Sequence, residues 1–379
     1  MPKTSTIDVG DGGAPEAIRE LLRGVLTQDE IEAVLVSRHL PVGRTVMPTL
    51  VSDPEALDGA DPLAPAFPMN AAKLVSRLTR RPAGGKIAAV MRPCEIRAFV
   101  ELVKLKQAMP DDLIIIGIDC PGAFANTDYP RFAGDDGEAA TSRFISAAVN
   151  GEGFPDDLSL MTACRACEHP VPEGADLAIG LLGDDPGRRL TVTAETERGE
   201  ALLNGLKLKD GSPPDGRAAA VEALVAERKA FRDEMFADTE ARTDSLEKLT
   251  EYLSGCINCY NCRVACPVCY CKECVFVTDV FNHEPAQYLR WAERKGAIKM
   301  PTDTVFYHIT RLAHMSTACV GCGQCSNACP NDIPVMELFR TVSRHTQAAF
   351  DYLAGRDLDE APPLSVFREA EFPEVVGIQ

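Results

Sequence analysis

Eight cysteines in the C-terminal third of the chain fall into two copies of one pattern. Cys256, Cys259, Cys262 and Cys266 are followed by Pro267, and Cys319, Cys322, Cys325 and Cys329 are followed by Pro330. Each run reads C-x2-C-x2-C-x3-C-P. In this spacing three thiolates wrap one face of an iron-sulfur cubane while the fourth cysteine is carried past it to the other cluster, so the run is used in pairs. The pattern assigns Cys256, Cys259, Cys262 and Cys329 to one 4Fe-4S cluster, and Cys319, Cys322, Cys325 and Cys266 to a second. Zinc is the competing metal, but structural zinc sites pair two C-x2-C knuckles across a spacer and do not repeat a complete four-cysteine run.

A second cysteine group, Cys269, Cys271 and Cys274, starts three positions after Cys266. It is open to three readings: a further cluster with a non-cysteine ligand such as His283, alternative ligands for the adjacent cubane, or reduced and shielded structural thiols. Residues 267–318 are more than a compact two-cluster ferredoxin needs, so the ferredoxin-like domain, 252–345, is expected to carry an insertion over 268–314. That insertion should contain a helix from Ala286 to Gly296 carrying Trp291. His308 and His314 precede Cys319 on a further helix, where packing or hydrogen bonding is favoured over ligation.

The other four cysteines sit where predicted strands end or turns begin. Asn70–Arg80 reads as helix, Lys86–Met91 as strand, Pro93–Gln107 as helix and Asp112–Asp119 as strand, which is the alternation of a parallel α/β sheet. Cys94 follows the first strand, Cys120 the second, and Cys164 with Cys167 precedes a third candidate, Asp176–Leu182. Ligands of open α/β sheets bind at the carboxyl ends of strands. From spacing alone, these four thiols either share one more 4Fe-4S cluster, or Cys94 and Cys120 are buried as small hydrophobes.

Around this centre the pattern predicts a flexible lead-in over 1–16, with helical periodicity in Ala17–Leu26 and Asp29–Ser37, and a loose stretch from Ser52 to Pro68. Leu190–Ala194 and Glu200–Leu208 read as sheet edge. An α/β domain over 17–215 is followed by a helical linker over 216–251, expected only to connect, and by a C-terminal arm over 346–379. Gly84-Gly85 and Gly180 to Gly183 read as turns, since neither a G-x-G-x-x-G between strand and helix nor a P-loop occurs. Arg92 and Arg97 beside Cys94 read as solvated or ion-paired residues.

Composition narrows the function. The 379 residues are 45% hydrophobic and carry a formal charge of −17, which suits two or three globular domains and opposes a nucleic-acid partner, because phosphate-backbone binding needs a basic surface. Met1 to Asp8 hold no apolar segment of the export type, so the cysteines are read as reduced and the chain as cytoplasmic. Apolar stretches such as Leu113–Ile118 fall far short of the ~20 residues of a membrane span. Neither a Ser-His-Asp nor a paired-carboxylate arrangement stands out, which leaves electron transfer.

The segments Met91-Arg92-Pro93-Cys94-Glu95-Ile96-Arg97-Ala98, Gly117-Ile118-Asp119-Cys120, Cys164-Arg165-Ala166-Cys167-Glu168 and Gly174-Ala175-Asp176-Leu177-Ala178-Ile179-Gly180 resemble the beta-subunit family of deazaflavin-reducing (coenzyme F-420 type) hydrogenases and formate dehydrogenases. The resemblance spans about residues 75–345. It implies a flavin-type α/β domain followed by an α+β ferredoxin-like domain, FAD bound near Cys94 and Cys120, and ligation of a third 4Fe-4S cluster by Cys94, Cys120, Cys164 and Cys167. It also implies an oxidoreductase subunit whose partners are catalytic redox subunits of formate dehydrogenase, hydrogenase or heterodisulfide-reductase-like type. Two other readings stand beside it: a flavin-free iron-sulfur relay, and a zinc-stabilised scaffold. The chain departs from many family members in having its ferredoxin module at the C-terminal end and no cysteine before Cys94.

Overall fold

The computed structural model describes residues 2–41, 45–81, 84–155, 157–279, 284–296 and 303–366. Strands β1 (Thr4–Asp8), β2 (Ile31–His39), β3 (Val46–Val51), β4 (Lys86–Met91), β5 (Leu113–Ile118), β6 (Leu177–Gly180), β7 (Arg189–Ala194) and β8 (Lys209–Asp210) form one sheet in the order β3-β2-β4-β5-β6-β7-β1-β8. β2, β4, β5 and β6 run parallel. Parallel strands need crossovers, and the crossovers bury both faces of the sheet. Helices α1 (Gly13–Leu26), α2 (Ala72–Thr79), α3 (Pro93–Lys104), α4 (Tyr129–Ala133), α5 (Gly137–Asn150), α6 (Thr162–Arg165) and α7 (Glu197–Gly205) fall between strands.

The period of two along the strands sorts the core into two layers. Ala88 and Val90 of β4 join Ile18, Leu22, Phe144 and Leu203 on one face, whereas Ala89 and Met91 join Val75, Ile96, Phe99 and Leu102 on the other. This second layer does not stop at the α/β domain. It runs on through Leu253, Cys262, Tyr307, Val320, Phe339 and Tyr352, so the sheet and the cysteine-rich region share one apolar core.

That region begins with α8 (Arg217–Thr243) and α9 (Leu246–Tyr252) and continues through α10 (Asn261–Ala265), α11 (Pro285–Lys295), α12 (Asp303–Met315), α13 (Gln324–Asn327) and α14 (Val335–Ala349). Among the described residues it contains no strand, against the expected α+β character of the module. Its cysteine loops leave no alternating apolar run to pair, and its apolar faces are supplied by α12 and α14.

Three other expectations are corrected. Asp29–Ser37 is not helical: β2 sends Val34 and Val36 to one core layer and Leu35 to the other, so its β-branched run is buried on both faces. Glu200–Leu208 lies mostly in α7, whose first turn is capped by Thr196, its Oγ1 accepting from the Gly199 amide. The lead-in contains β1, paired with β7 and β8. The stretch from Ser52 to Pro68 is irregular apart from a 3-10 turn at Pro54–Gly59, yet Asp61, Leu63, Ala64 and Phe67 are buried. Tyr352–Gly355 fold back onto α3, where Tyr352 Oη and the Gly355 amide both donate to Glu101 Oε1, at 2.6 and 2.7 Å.

Gly117 in β5 shows how the sheet receives the segment bearing Cys164 and Cys167. A Cβ there would meet Pro172 Cβ at 2.3 Å and Ala175 Cβ at 2.8 Å. Gly117→Ala is therefore expected to destabilise the protein by about 1–3 kcal/mol, read from the midpoint of chemical denaturation. A midpoint equal to the parent's would show that this segment is not held against the strand.

Candidate metal centres

Each four-cysteine run uses the same backbone device. The residues on either side of the middle cysteine are left-handed: Asn258 (φ 53°) and Tyr260 (φ 59°) around Cys259, and Gly321 (φ 70°) and Gly323 (φ 81°) around Cys322. The third cysteine then falls in the first turn of a short helix, Cys262 in α10 and Cys325 in α13. At Gly323 glycine is required twice over, since a Cβ would stand 2.4 Å from Ala163 Cβ of α6. The equivalent Tyr260 packs on Tyr307 of α12, with ring centroids 4.9 Å apart.

The fourth cysteines cross over. Cys329 lines one small pocket with Cys256, Cys259 and Cys262, beside Tyr260, Tyr307 and His308. Cys266 instead lies with Cys319, Cys322 and Cys325. Burial pushes the Cys266 thiol up to about 11 against the pull of Arg311, Cys269 and Cys319 adding to the rise, and those of Cys322 and Cys325 are raised further, again mainly by burial. Thiols crowded in this way resist joint ionisation unless positive charge stands among them, and bound metal supplies it by deprotonating its thiol ligands. The donor sets therefore fit clustered iron. Among the described residues no three ligating side chains converge around a single ion; the thiols are grouped but spread.

The sheet delivers the third group. β4 and β5 are adjacent and parallel, and their carboxyl ends lead into Cys94, the second residue of α3, and Cys120. Cys164 lies on α6 and Cys167 just beyond it. Burial, followed by Glu95, Cys322, Cys120 and Cys167, raises the Cys94 thiol, while burial with Cys120 and Cys167 pushes Cys164 up to about 12. The four are thus brought together at the carboxyl edge of the parallel strands. Cys94, Cys164 and Cys322 also pack on one small apolar cluster of Phe67, Ala123 and Met161, so this group adjoins the Cys319–Cys325 run.

Cysteines 269, 271 and 274 do not form an equally clear group. Cys269 stands near Cys266 and Cys271, Cys271 is exposed and Cys274 partly buried; His283 lies outside the described residues. His308 is buried, its imidazole held down at about 4 by burial and then by Arg311. Its Nε2 is 3.4 Å from Cys256 Sγ, a neutral hydrogen-bond partner of a thiol, whereas His314 is exposed.

Sequence reasoning missed the cations that surround these thiols. Arg97 is buried, donating to the carbonyls of Ala354 (3.2 and 2.7 Å) and Val320 (3.3 Å). Arg92 donates to the Ala64 and Ala66 carbonyls, both at 2.7 Å. Neither is solvated or paired with a carboxylate in these bonds. Arg228 of α8 donates to the carbonyls of Cys120 (3.3 Å), Pro121 (2.7 Å) and Cys167 (3.5 Å), so the expected linker helix is part of the wall of the site. Arginine in a long polar helix gives no sequence signal of burial, because which face is covered depends on the partner element.

Residues 252–333 match the family described as a 4Fe-4S dicluster domain. Along nearly its whole length the chain is similar to the F420-dependent formate dehydrogenase subunit beta of Methanocaldococcus jannaschii, 28% identical over 375 residues, which are 92% of this chain and 93% of that protein. It is also 28% identical over 307 residues to the F420-dependent formate dehydrogenase 1 subunit beta of Methanococcus maripaludis, covering 73% and 75% of the two chains. Among solved structures, a chain of the F420-reducing [NiFe] hydrogenase complex from Methanosarcina barkeri aligns with 65% of this chain and 94% of its own, at 13% identity and a TM-score of 0.45.

Glu168, next to Cys167, ties three elements together. It pairs with Arg232 of α8 at 3.2 Å and with Arg340 of α14, while Arg340 Nη1 also donates to the Ala166 carbonyl at 2.6 Å. Burial alone would raise the carboxyl, but Arg340, the backbone, His169 and Arg232 outweigh it and hold it at about 2. With its folded value below the ordinary 4.5, the stability Glu168 contributes is complete above about pH 4.5 and is lost as the pH falls toward 2. Glu168→Gln should cost on the order of 2–3 kcal/mol at neutral pH, and the gap to the parent in denaturation midpoint should narrow once the pH drops below 4.5. A gap independent of pH would show that the charge is not what holds these elements.

Proposed function

We propose that this chain is the electron-relaying subunit of a multi-subunit oxidoreductase of the formate dehydrogenase and hydrogenase type, carrying one-electron traffic between a redox centre at the α/β sheet and a catalytic partner. The observation that carries the reading is the row of cysteine groups. Cys94, Cys120, Cys164 and Cys167 adjoin Cys322 through a shared apolar cluster. Cys322 lies with Cys319, Cys325 and Cys266, and the Cys256, Cys259, Cys262 and Cys329 pocket follows. We assign each set one 4Fe-4S cluster, which supplies single-electron exchange when bound. The relatives' names support the same class of complex, and a cytoplasmic setting remains the expectation from the sequence. Among the described residues no helix is long and apolar enough to cross a membrane.

The protein's own part is placement and insulation. Phe67, Ala123 and Met161 close the space between the first two sets to water, and a dry path keeps thiolate ligands from oxidation. Cys259, exposed, marks the far end of the row and the point at which we place the partner.

FAD beside Cys94 and Cys120 rests on the family resemblance. The groove beside the α6 and α13 cysteines, with about 830 Å3 of empty space, is walled by Leu160, Met161 and Met336 but also by Asp128, Asp332 and Glu337. Neither Cys94 nor Cys120 walls this groove and no lysine or arginine lines it, so the groove itself does not suit a flavin diphosphate; the second reading is a flavin-free relay.

Anaerobic purification with co-expressed partner subunits, followed by iron, sulfide and flavin quantitation, separates the two readings, and iron beyond three cubanes would reveal a fourth cluster on Cys269, Cys271 and Cys274. Cys94→Ala and Cys164→Ala are expected to abolish the same EPR signal, and Cys322→Ala a different one, together with electron passage to the partner. Cys94→Ala and Cys164→Ala proteins with unlike spectra would overturn the third ligand set, and full iron content in Cys322→Ala would overturn the second.

A further inference from the structure

Arg311 on α12 is 4% exposed. Its Nη1 donates to Cys262 Sγ at 3.1 Å and its Nη2 to the Cys262 carbonyl at 3.2 Å. The guanidinium is flanked by the rings of Phe339 at 4.6 Å and Tyr307 at 5.5 Å. Cys262 lies on α10, whose C-cap is Cys266, so the carbonyl that Arg311 holds belongs to the one short turn that leads into Cys266. Cys262 belongs to one ligand set proposed above, and Cys266 belongs to the other. The cation therefore stands between the two sets, bonded to one and holding the turn that leads into the other.

A guanidinium this far from water is costly unless negative charge answers it. Aromatic faces answer it weakly. Thiolates answer it strongly, and the reduced state of a thiolate-held cluster adds a further negative charge. Cluster potentials follow net charge, burial and hydrogen bonds to sulfur. A buried cation shared by two clusters thus favours the one-electron-reduced state of both.

We propose that Arg311 sets the potentials of the two ferredoxin-type clusters together, raising each and keeping them close enough that a single electron passes between them without being trapped. This rests on the ligand sets assigned under the proposed function. One electron enters one set and one leaves from the other, with Arg311 protonated throughout, so no further reductant is needed beyond the complex's own donor. Arg311 is a positioning residue: it acts through Cys262 and through its field.

The test is an EPR-monitored redox titration of the full-length protein, purified anaerobically, with iron and sulfide quantified in the same samples. In Arg311→Met both ferredoxin-type clusters should become harder to reduce by roughly tenfold in equilibrium constant, about 59 mV for one electron, while the signal lost in Cys94→Ala keeps its potential. Arg311→Lys, which retains the charge, should leave both near the parent values. Arg311→Met protein that loads both clusters with neither potential lowered, or with a fall in the Cys262 set alone, overturns the proposal. If Arg311→Met does not load, Arg311→Gln, which removes the charge but keeps a hydrogen-bond donor, decides: a fall in both potentials upholds it, and no fall, or a fall in one alone, overturns it. Parent protein lacking the two cubanes would instead remove the functional reading on which the proposal rests, so the two failures are distinguishable.

Discussion

Fifteen thiols in one chain, twelve of them packed into three adjoining groups, put an electrostatic constraint on everything around them. Each buried thiol resists ionisation, and each thiolate that forms opposes the next. The arrangement is tolerable only with positive charge in its midst. The protein answers with buried guanidinium groups, Arg97, Arg228 and Arg311, spread along the row and bonded to backbone carbonyls or sulfur. Bound metal completes the balance.

The same constraint explains why the α/β sheet and the cysteine-rich module are not two independent bodies. A relay needs short, dry gaps between its centres, and dryness comes from a continuous apolar core. α3 is the element that joins them. Its first turn carries Cys94, its buried face packs the sheet through Ile96, Phe99 and Leu102, and Arg97 reaches the Val320 carbonyl inside the second cysteine run. Farther along, Glu101 gathers Tyr352 and Gly355, closing the C-terminal segment over the helix.

The duplicated runs show one local device placed in two surroundings. Left-handed residues before and after the middle cysteine turn both loops alike, but Gly323 meets α6 whereas Tyr260 meets α12. Glycine stands where another cysteine-bearing helix presses in, and tyrosine where an inserted helix leaves room for a ring. The insertion thus has a structural purpose beyond its extra cysteines: α12 brings Tyr307, His308 and Arg311 to the side of the Cys256 pocket that the α/β domain does not reach.

Much of this was legible in the chain before any coordinates. The paired C-x2-C-x2-C-x3-C-P runs point to iron-sulfur clusters, because ligand spacing is a local property of the backbone. The runs Lys86–Met91 and Leu113–Ile118 announced parallel strands, since burial on both faces leaves a continuous apolar stretch. By the same logic Ile31–His39 was legible in principle, but Ile31, Val34 and Leu35 also stand at helical spacing, and only pairing with β3 and β4 decides for strand. That Cys94, Cys120, Cys164 and Cys167 lie together at one sheet edge depends on strand order, which is not written in any one segment. Which cations are buried beside which thiols was invisible. Burial belongs to pairs of elements packed against each other, so Arg228 and Arg311 take their roles only from the tertiary structure.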